Sequence, residues 1–325
     1  MKTSGYFLIV MLFLAPVWSA AQQSPHFSMS TLNKYHVNPA YSVFSDRLEI
    51  AGTHRDQWNN LPGAPSTQLI SGHFPLDFGI SSMGFEFLND AIGIERSIAL
   101  TLSYAHRLST DFGDVGLGVK FGGEQRSLDQ SRIRTPGGSY NEDFVDHNDP
   151  LLDNRNLSSN VPVFGFSVWY SSYLGFDAGI SVNQLSSGSH FGGEVFSYEL
   201  KPVYSLYLDY FIPFIEDWYV VPSGHVYTDF NQTQIYLHGM VSYQDRYFGG
   251  LGLRGLTPNS LDAVTAMFGL QINERFTAYY NYDIGLSNIY RPNNQTHEFS
   301  VVYRGGDWPH RRQKPPVIYN PRFME

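Results

Sequence analysis

Three groups of residues have the types and spacing for chemistry. GLGLRG (250–255) fits G-x-G-x-x-G, in which glycines let a backbone approach a dinucleotide pyrophosphate at a helix amino terminus. The run NEDFVDHNDPLLDNRN (141–156) gathers Glu142, Asp143, Asp146, His147, Asp149 and Asp153, and calcium favours clustered carboxylates and carbonyls. His54, His73, His106, His225 and His238 are candidate acid–base groups.

Context weakens each of them. The glycines of 250–255 sit in an alternating apolar stretch with no helical pattern after it, so they read as small residues that ease strand packing. The acidic run lacks the Asp-x-Asp-x-Asp-Gly spacing of an EF-hand and reads as a solvated loop. The histidines share no spacing, and neither Gly-x-Ser-x-Gly nor His-Glu-x-x-His occurs. No catalytic, cofactor-binding or metal-ligating residue is therefore assigned, and the expectation is a protein that is not an enzyme. The chain has no cysteine, which removes disulfides, thiolate ligands and an acylated lipoprotein anchor together.

The elements that hold these side chains are strands. In QIYLHGMVSY (234–243), Ile235, Leu237, Val241 and Tyr243 fall on one side, while Gln234, Tyr236, His238, Met240 and Ser242 fall on the other. IALTLSYAH (98–106), FGFSVWY (164–170), LGFDAGISV (174–182) and FTAYYNYDI (276–284) alternate in the same way. About fourteen such stretches lie between residues 46 and 304. Their polar faces carry Gly, Ser, Asp and Asn, and their apolar faces often end in Tyr.

A soluble sandwich gives the same alternation. Loop lengths separate the two folds, because a transmembrane barrel sorts short periplasmic turns from long extracellular loops. The short set is PLDFG, LSTDFG, SSY, PFIEDW, Asp245 and NER. The other set is mostly long: QWNNLPGAP, NDAIGIE, about 123–161, NQLSSGSHFGGEVFSYELK, RGLTPNS and GLSNIYRPNNQ, with TDFNQ as the modest exception. The fold class expected is all-β, a transmembrane antiparallel β-barrel of about fourteen strands in the bacterial outer membrane.

Composition agrees. The chain of 325 residues is 16% aromatic and only 16% charged, below the roughly 25% charged of average soluble domains. A net charge of −9 argues against nucleic-acid binding. Lys2, the apolar FLIVMLFLA (7–15) and the small residues Ser19 and Ala21 read as a signal peptide, 1–21, with the mature chain starting at Gln22. That places 22–45 as a periplasmic segment before the barrel (46–304). Residues 305–325 form a Pro-rich, basic periplasmic tail. Two readings of that tail stand: a solvated end, or a partner contact that combines Arg311, Arg312 and Lys314 with PPVIYNPRF.

Several motifs are similar to those of the PorP/SprF family, outer-membrane proteins of the type IX secretion and gliding system of Bacteroidetes. They are NPAY (38–41), HRDQWNNLPGAPSTQ (54–68), FLNDAIG (87–93), LSYAHRL (102–108), VPSG (221–224), SYQDRYFGGLGLR (242–254), NYDIGLS (281–287), THEFSVVY (296–303) and NPRF (320–323). SVFSD (42–46) departs from the Gly-containing turn expected after NPAY, and loops 124–160 and 184–200 carry no family pattern. The resemblance implies a non-enzymatic barrel that binds exported cargo and periplasmic machinery for secretion, surface attachment or gliding, in contact with outer-membrane lipid. The candidate partner contacts are Asn38, Pro39, Tyr41, Gln57, Trp58, Gly63, Pro65, Tyr319, Pro321, Arg322 and Phe323. The second reading is a passive porin or substrate-specific channel; the third is a barrel hydrolase.

Overall fold

The computed structural model describes residues 25–28, 30–59, 61–76, 80–141, 144–149, 152, 156–186, 200–256, 261–286 and 295–307. Fourteen long strands form the wall: β1 (Arg47–Asp56), β2 (Ser66–Leu76), β3 (Ser81–Ile92), β4 (Glu95–Thr110), β5 (Gly113–Asp129), β6 (Asn156–Ser172) and β7 (Phe176–Asn183). They continue as β8 (Val203–Tyr210), β9 (Trp218–Thr228), β10 (Thr233–Tyr243), β11 (Tyr247–Arg254), β12 (Ala263–Gln271), β13 (Phe276–Gly285) and β14 (Gln295–Asp307). Each pairs antiparallel with its neighbours in sequence, and β8 pairs directly with β9. β14 closes the wall on β1, with Glu49 opposite Arg304 and Asp56 opposite His297. The ring of strand pairings is thereby closed, which is the condition for strands in hydrocarbon.

The strand faces sort as the alternation predicts, with the aliphatic side outward. Leu237 is 48% exposed and Leu251 68%, while their neighbours His238 and Ser242 are buried inside. Phe164, Phe166 and Val168 face out, with Ser167 and Trp169 turned in. At the short-turn end, Phe112, Tyr173, Phe214, Trp218 and Tyr247 are all exposed. They form the aromatic belt expected where a barrel meets the lipid head groups.

Strand ends differ from the sequence expectation at two places. NDAIGIE was expected as a loop, but β3 and β4 run on to a two-residue turn, Gly93–Ile94. Gly93 has φ +60°, which suits the first central position of a type II′ turn. β5 and β6 also continue past 123 and 161, pairing as far as Asp129 and Asn156. GGEQRSLD and NLSSN are polar on both faces, so an apolar period could not mark them. GLGLRG lies almost wholly within β11, flanked by β10 and β12, with no helix after it among the described residues.

Candidate functional site

Residues 25–28 and 30–45, expected within a periplasmic segment 22–45 ahead of the barrel, lie inside the wall. They fill the lumen as a plug of short turns: a 3-10 turn at Ser30–Leu32, a helical turn at Lys34–Val37 and a 3-10 stretch at Pro39–Phe44. The local sequence explains these turns. The Asn33 side chain accepts from His36 N–H, and the Asn38 side chain accepts from Ala40 N–H, each capping the turn that follows. Pro39 opens the last stretch with its φ already fixed.

The polar inner wall holds the plug from several sides. Lys34 Nζ lies 3.1 Å from Asp177 on β7 and 2.5 Å from Asp209 on β8. Its ammonium also sits over the rings of Tyr41, Trp169 and Tyr207 at 5.5–5.9 Å. His36 Nδ1 meets Glu86 of β3 at 2.7 Å, and Lys120 of β5 holds the other oxygen of that carboxylate at 2.9 Å. The Tyr35 hydroxyl bonds Ser103 on β4, and Asn33 donates to Ser71 on β2. Asn38 Nδ2 donates to the carbonyls of Val168 and Ile180, each at 3.0 Å, spanning β6 and β7.

Two glycines in the wall make room for this packing. A Cβ at Gly84 would strike the ring of Tyr35, and one at Gly116 would lie 2.6 Å from the Ala40 carbonyl. Val37, Ala40, Trp169 and Tyr207 form one buried apolar cluster, with Tyr41 and Phe44 against it. The plug is therefore seated by shape, apolar packing and charge at once.

A second ionic centre ties β1 to β11, β13 and β14. Arg55 is fully buried and meets Asp283 at 2.8 Å and Glu298 at 2.9 Å. Arg254 meets Asp283 at 3.1 Å, and Asn281 and Thr265 donate to the same two carboxylates. Ser28 of the plug donates its N–H to Glu298 and contacts Arg55 through its hydroxyl. A buried ion pair repays its desolvation only where the geometry is good and further hydrogen bonds support the charges.

The expected partner contacts separate into three groups. Asn38 and Pro39 are buried in the plug and Tyr41 is half-buried there, with Asn38 bonded to the wall. Gln57, Trp58, Gly63 and Pro65 stand together in the first long loop, where Gln57 N–H donates to the Pro65 carbonyl. That loop docks on the β3–β4 turn through Gly93 N–H to the Gly63 carbonyl at 2.8 Å. Tyr319, Pro321, Arg322 and Phe323, like the signal segment 1–21, lie outside the described residues.

Sequence reasoning missed Lys34, His36, Glu86, Asp177, Asp209, Arg55 and Asp283. The signal present was a set of charges placed on the polar faces of strands, which alternation alone cannot pair. In the acidic run, Glu142, Asp143 and Asp153 lie outside the described residues, and Asp146 accepts from Asn148 N–H. Among the described residues no cluster of three metal-ligating side chains occurs. In the β9–β10 loop, Asp229 accepts backbone N–H groups from Asn231 and Gln232. Its slight burial is outweighed by these bonds, which hold its carboxyl below the usual range.

A family model described as type IX secretion system membrane protein PorP/SprF matches residues 19–303. No curated protein matches the chain. Among solved structures, the CymD monoaromatic hydrocarbon channel is 12% identical, with a TM-score of 0.51 over 89% of this chain and 96% of its own. Omp33, an outer-membrane protein of Acinetobacter baumannii, is 7% identical, with a TM-score of 0.48 over 79% of this chain and 97% of its own. A FadL homologue of Pseudomonas aeruginosa is 12% identical, with a TM-score of 0.44 over 86% and 94%. The likeness to CymD shows the barrel fold alone.

Proposed function

The chain belongs to the PorP/SprF family of type IX secretion system membrane proteins, integral to the outer membrane, and from that membership we propose that it is a non-enzymatic docking scaffold. In this reading its outer loops bind an exported protein, and its short turns meet secretion components in the periplasm. Secretion, surface attachment of an adhesin or gliding would each be served by such binding.

The observation that supports docking over conduction is the plug. Lys34, His36 and Asn38 bond to four wall strands between them, so the lumen is occupied by protein where a passive porin needs water. Steady conduction would require those bonds to break together. The absence of a nucleophile–base pair motif in the sequence favours binding over hydrolysis.

Deleting the gene is expected to abolish surface display or secretion of a specific exported protein. Export and attachment that survive deletion unchanged would overturn the scaffold reading. Purified wild-type barrel in a planar bilayer is expected to conduct almost no current and to co-purify with envelope proteins. A steady, solute-sized conductance would revive the channel.

A further inference from the structure

The plug has a direction. Pro25 and His26 share a cavity of about 680 Å³ with Gln57, Trp58, Pro65 and Gly93, all at the long-loop end. The His26 ring meets that of Tyr227, near the long-loop end of β9, at 5.0 Å. Deeper in, Ser28 binds Glu298 and Asn33 binds Ser71. At the short-turn end, Ser42 bonds Ser82 at the start of β3, and β1 begins at Arg47. The segment crosses the lumen from one mouth to the other.

In an even-stranded barrel the short turns face the periplasm and the long loops face outward. Strand parity alone would put the amino-terminal side in the periplasm, but the route through the lumen reverses this. We propose that the amino-terminal side of this chain is presented at the cell surface through its own barrel, where Pro25 and His26 join the first outer loop as a docking surface for an incoming polypeptide. This deepens the scaffold reading above and rests on it.

The chemistry of the cavity selects its occupant. Asp90, Glu95 and Arg126 line it, so its charged lining carries two carboxylates against one guanidinium, and that guanidinium stands 3.8 Å from Glu95 and 3.4 Å from Glu124 behind it. Trp58, Pro65, Ile92 and Ile94 supply apolar surface beside them. An extended segment carrying a basic side chain next to an apolar one meets both. The volume falls in the range of ligand sites, roughly 300–1,000 Å³. Such an occupant touches the plug directly, so docking outside is coupled to the element that seals the lumen.

The cysteine-free chain allows a clean test, because a single introduced thiol is the only one. P25C and N59C, in the full-length protein on intact cells, are expected to react with a membrane-impermeant maleimide. D111C, in the β4–β5 turn, is expected to react only after the outer membrane is permeabilised. Labelling of P25C only after permeabilisation overturns the proposal, whatever N59C does.

The docking part is read separately. D90N/E95Q should lower retention of the dependent exported protein on native membranes at least tenfold while the barrel keeps its heat-dependent gel shift. E95Q alone, at a half-exposed site, is expected to fold and to lower retention several-fold should the double variant fail to assemble. Unchanged retention in a folded variant overturns the proposal and leaves the scaffold reading standing. If no exported protein depends on the wild-type barrel, the scaffold reading falls first.

Discussion

Lys34 Nζ lies 2.5 Å from the Asp209 carboxylate, joining the plug to β8 inside a wall whose outer face is aliphatic. Asp209 also accepts from the Tyr207 hydroxyl at 2.8 Å, so the contact belongs to a network. Breaking it from one side leaves two carboxylates without their cation, and that asymmetry makes it a sensitive handle on the plug.

Lys34→Met is expected to loosen the plug by about 3 kcal/mol, the lower end for breaking a buried pair. The barrel should still assemble. Single-channel recording should then show current where the wild type shows almost none. A variant as silent as the wild type would mean that packing alone seats the plug.

Arg55→Leu tests the wall's own ionic centre. It leaves buried Glu298 without its cation and Asp283 with Arg254 alone, and is expected to cost about 3 kcal/mol, the lower end for breaking a buried pair. The temperature at which unheated protein loses its compact gel mobility should fall. Arg55→Lys should rescue only in part, because one ammonium cannot reproduce two forked contacts. Full rescue by lysine would point to charge without geometry.

Gly116→Val tests the seat of the plug. The added Cβ meets the Ala40 carbonyl at 2.6 Å, with Phe44 and Val43 next to it, so the plug must shift. Gly239→Ala on β10 has nothing within 4 Å and serves as the control. Conductance should rise only in the first. Equal behaviour of the two would remove the close approach as a determinant.

Leu237→Arg asks which medium the outer face meets. At the bilayer midplane the cost is about 2–4 kcal/mol, whereas at a water-exposed surface it would be near zero. Folding into vesicles, followed by denaturant titration, reads the difference. No loss of stability would mean that Leu237 does not face hydrocarbon.

Processing is checked by mass. Purified protein is expected to begin at Gln22, as Ser19 and Ala21 before the cut imply. An intact mass that retains residues 1–21 would refute cleavage.

The wall was legible because its period is local. Leu237 and His238 face opposite ways for a reason visible within two residues, and closure followed from sorting loops by length. The plug was not legible because nothing in NKYHVNPAYSVF repeats. Its structure is set by partners such as Asp177 and Asp209, which lie more than 140 residues away, and by the absence of a side chain at Gly116. The extensions of β5 and β6 were hidden for a different reason: beyond the lipid, both faces of a strand meet water and the apolar signal ends. Asn38 and Pro39 stood out by motif as candidate partner contacts, but a motif does not show that Asn38 bonds across β6 and β7.

The seam between β1 and β14 has a consequence for biogenesis. Nine residue pairs join along it, around a cord already bonded on several sides. A closed cylinder offers that cord no sideways entry, and pulling it in lengthwise would drag Lys34 past several unmatched stations. Assembly is expected to lay the cord into a still-open sheet first, with the last hairpin then folding over it like a lid onto a packed box.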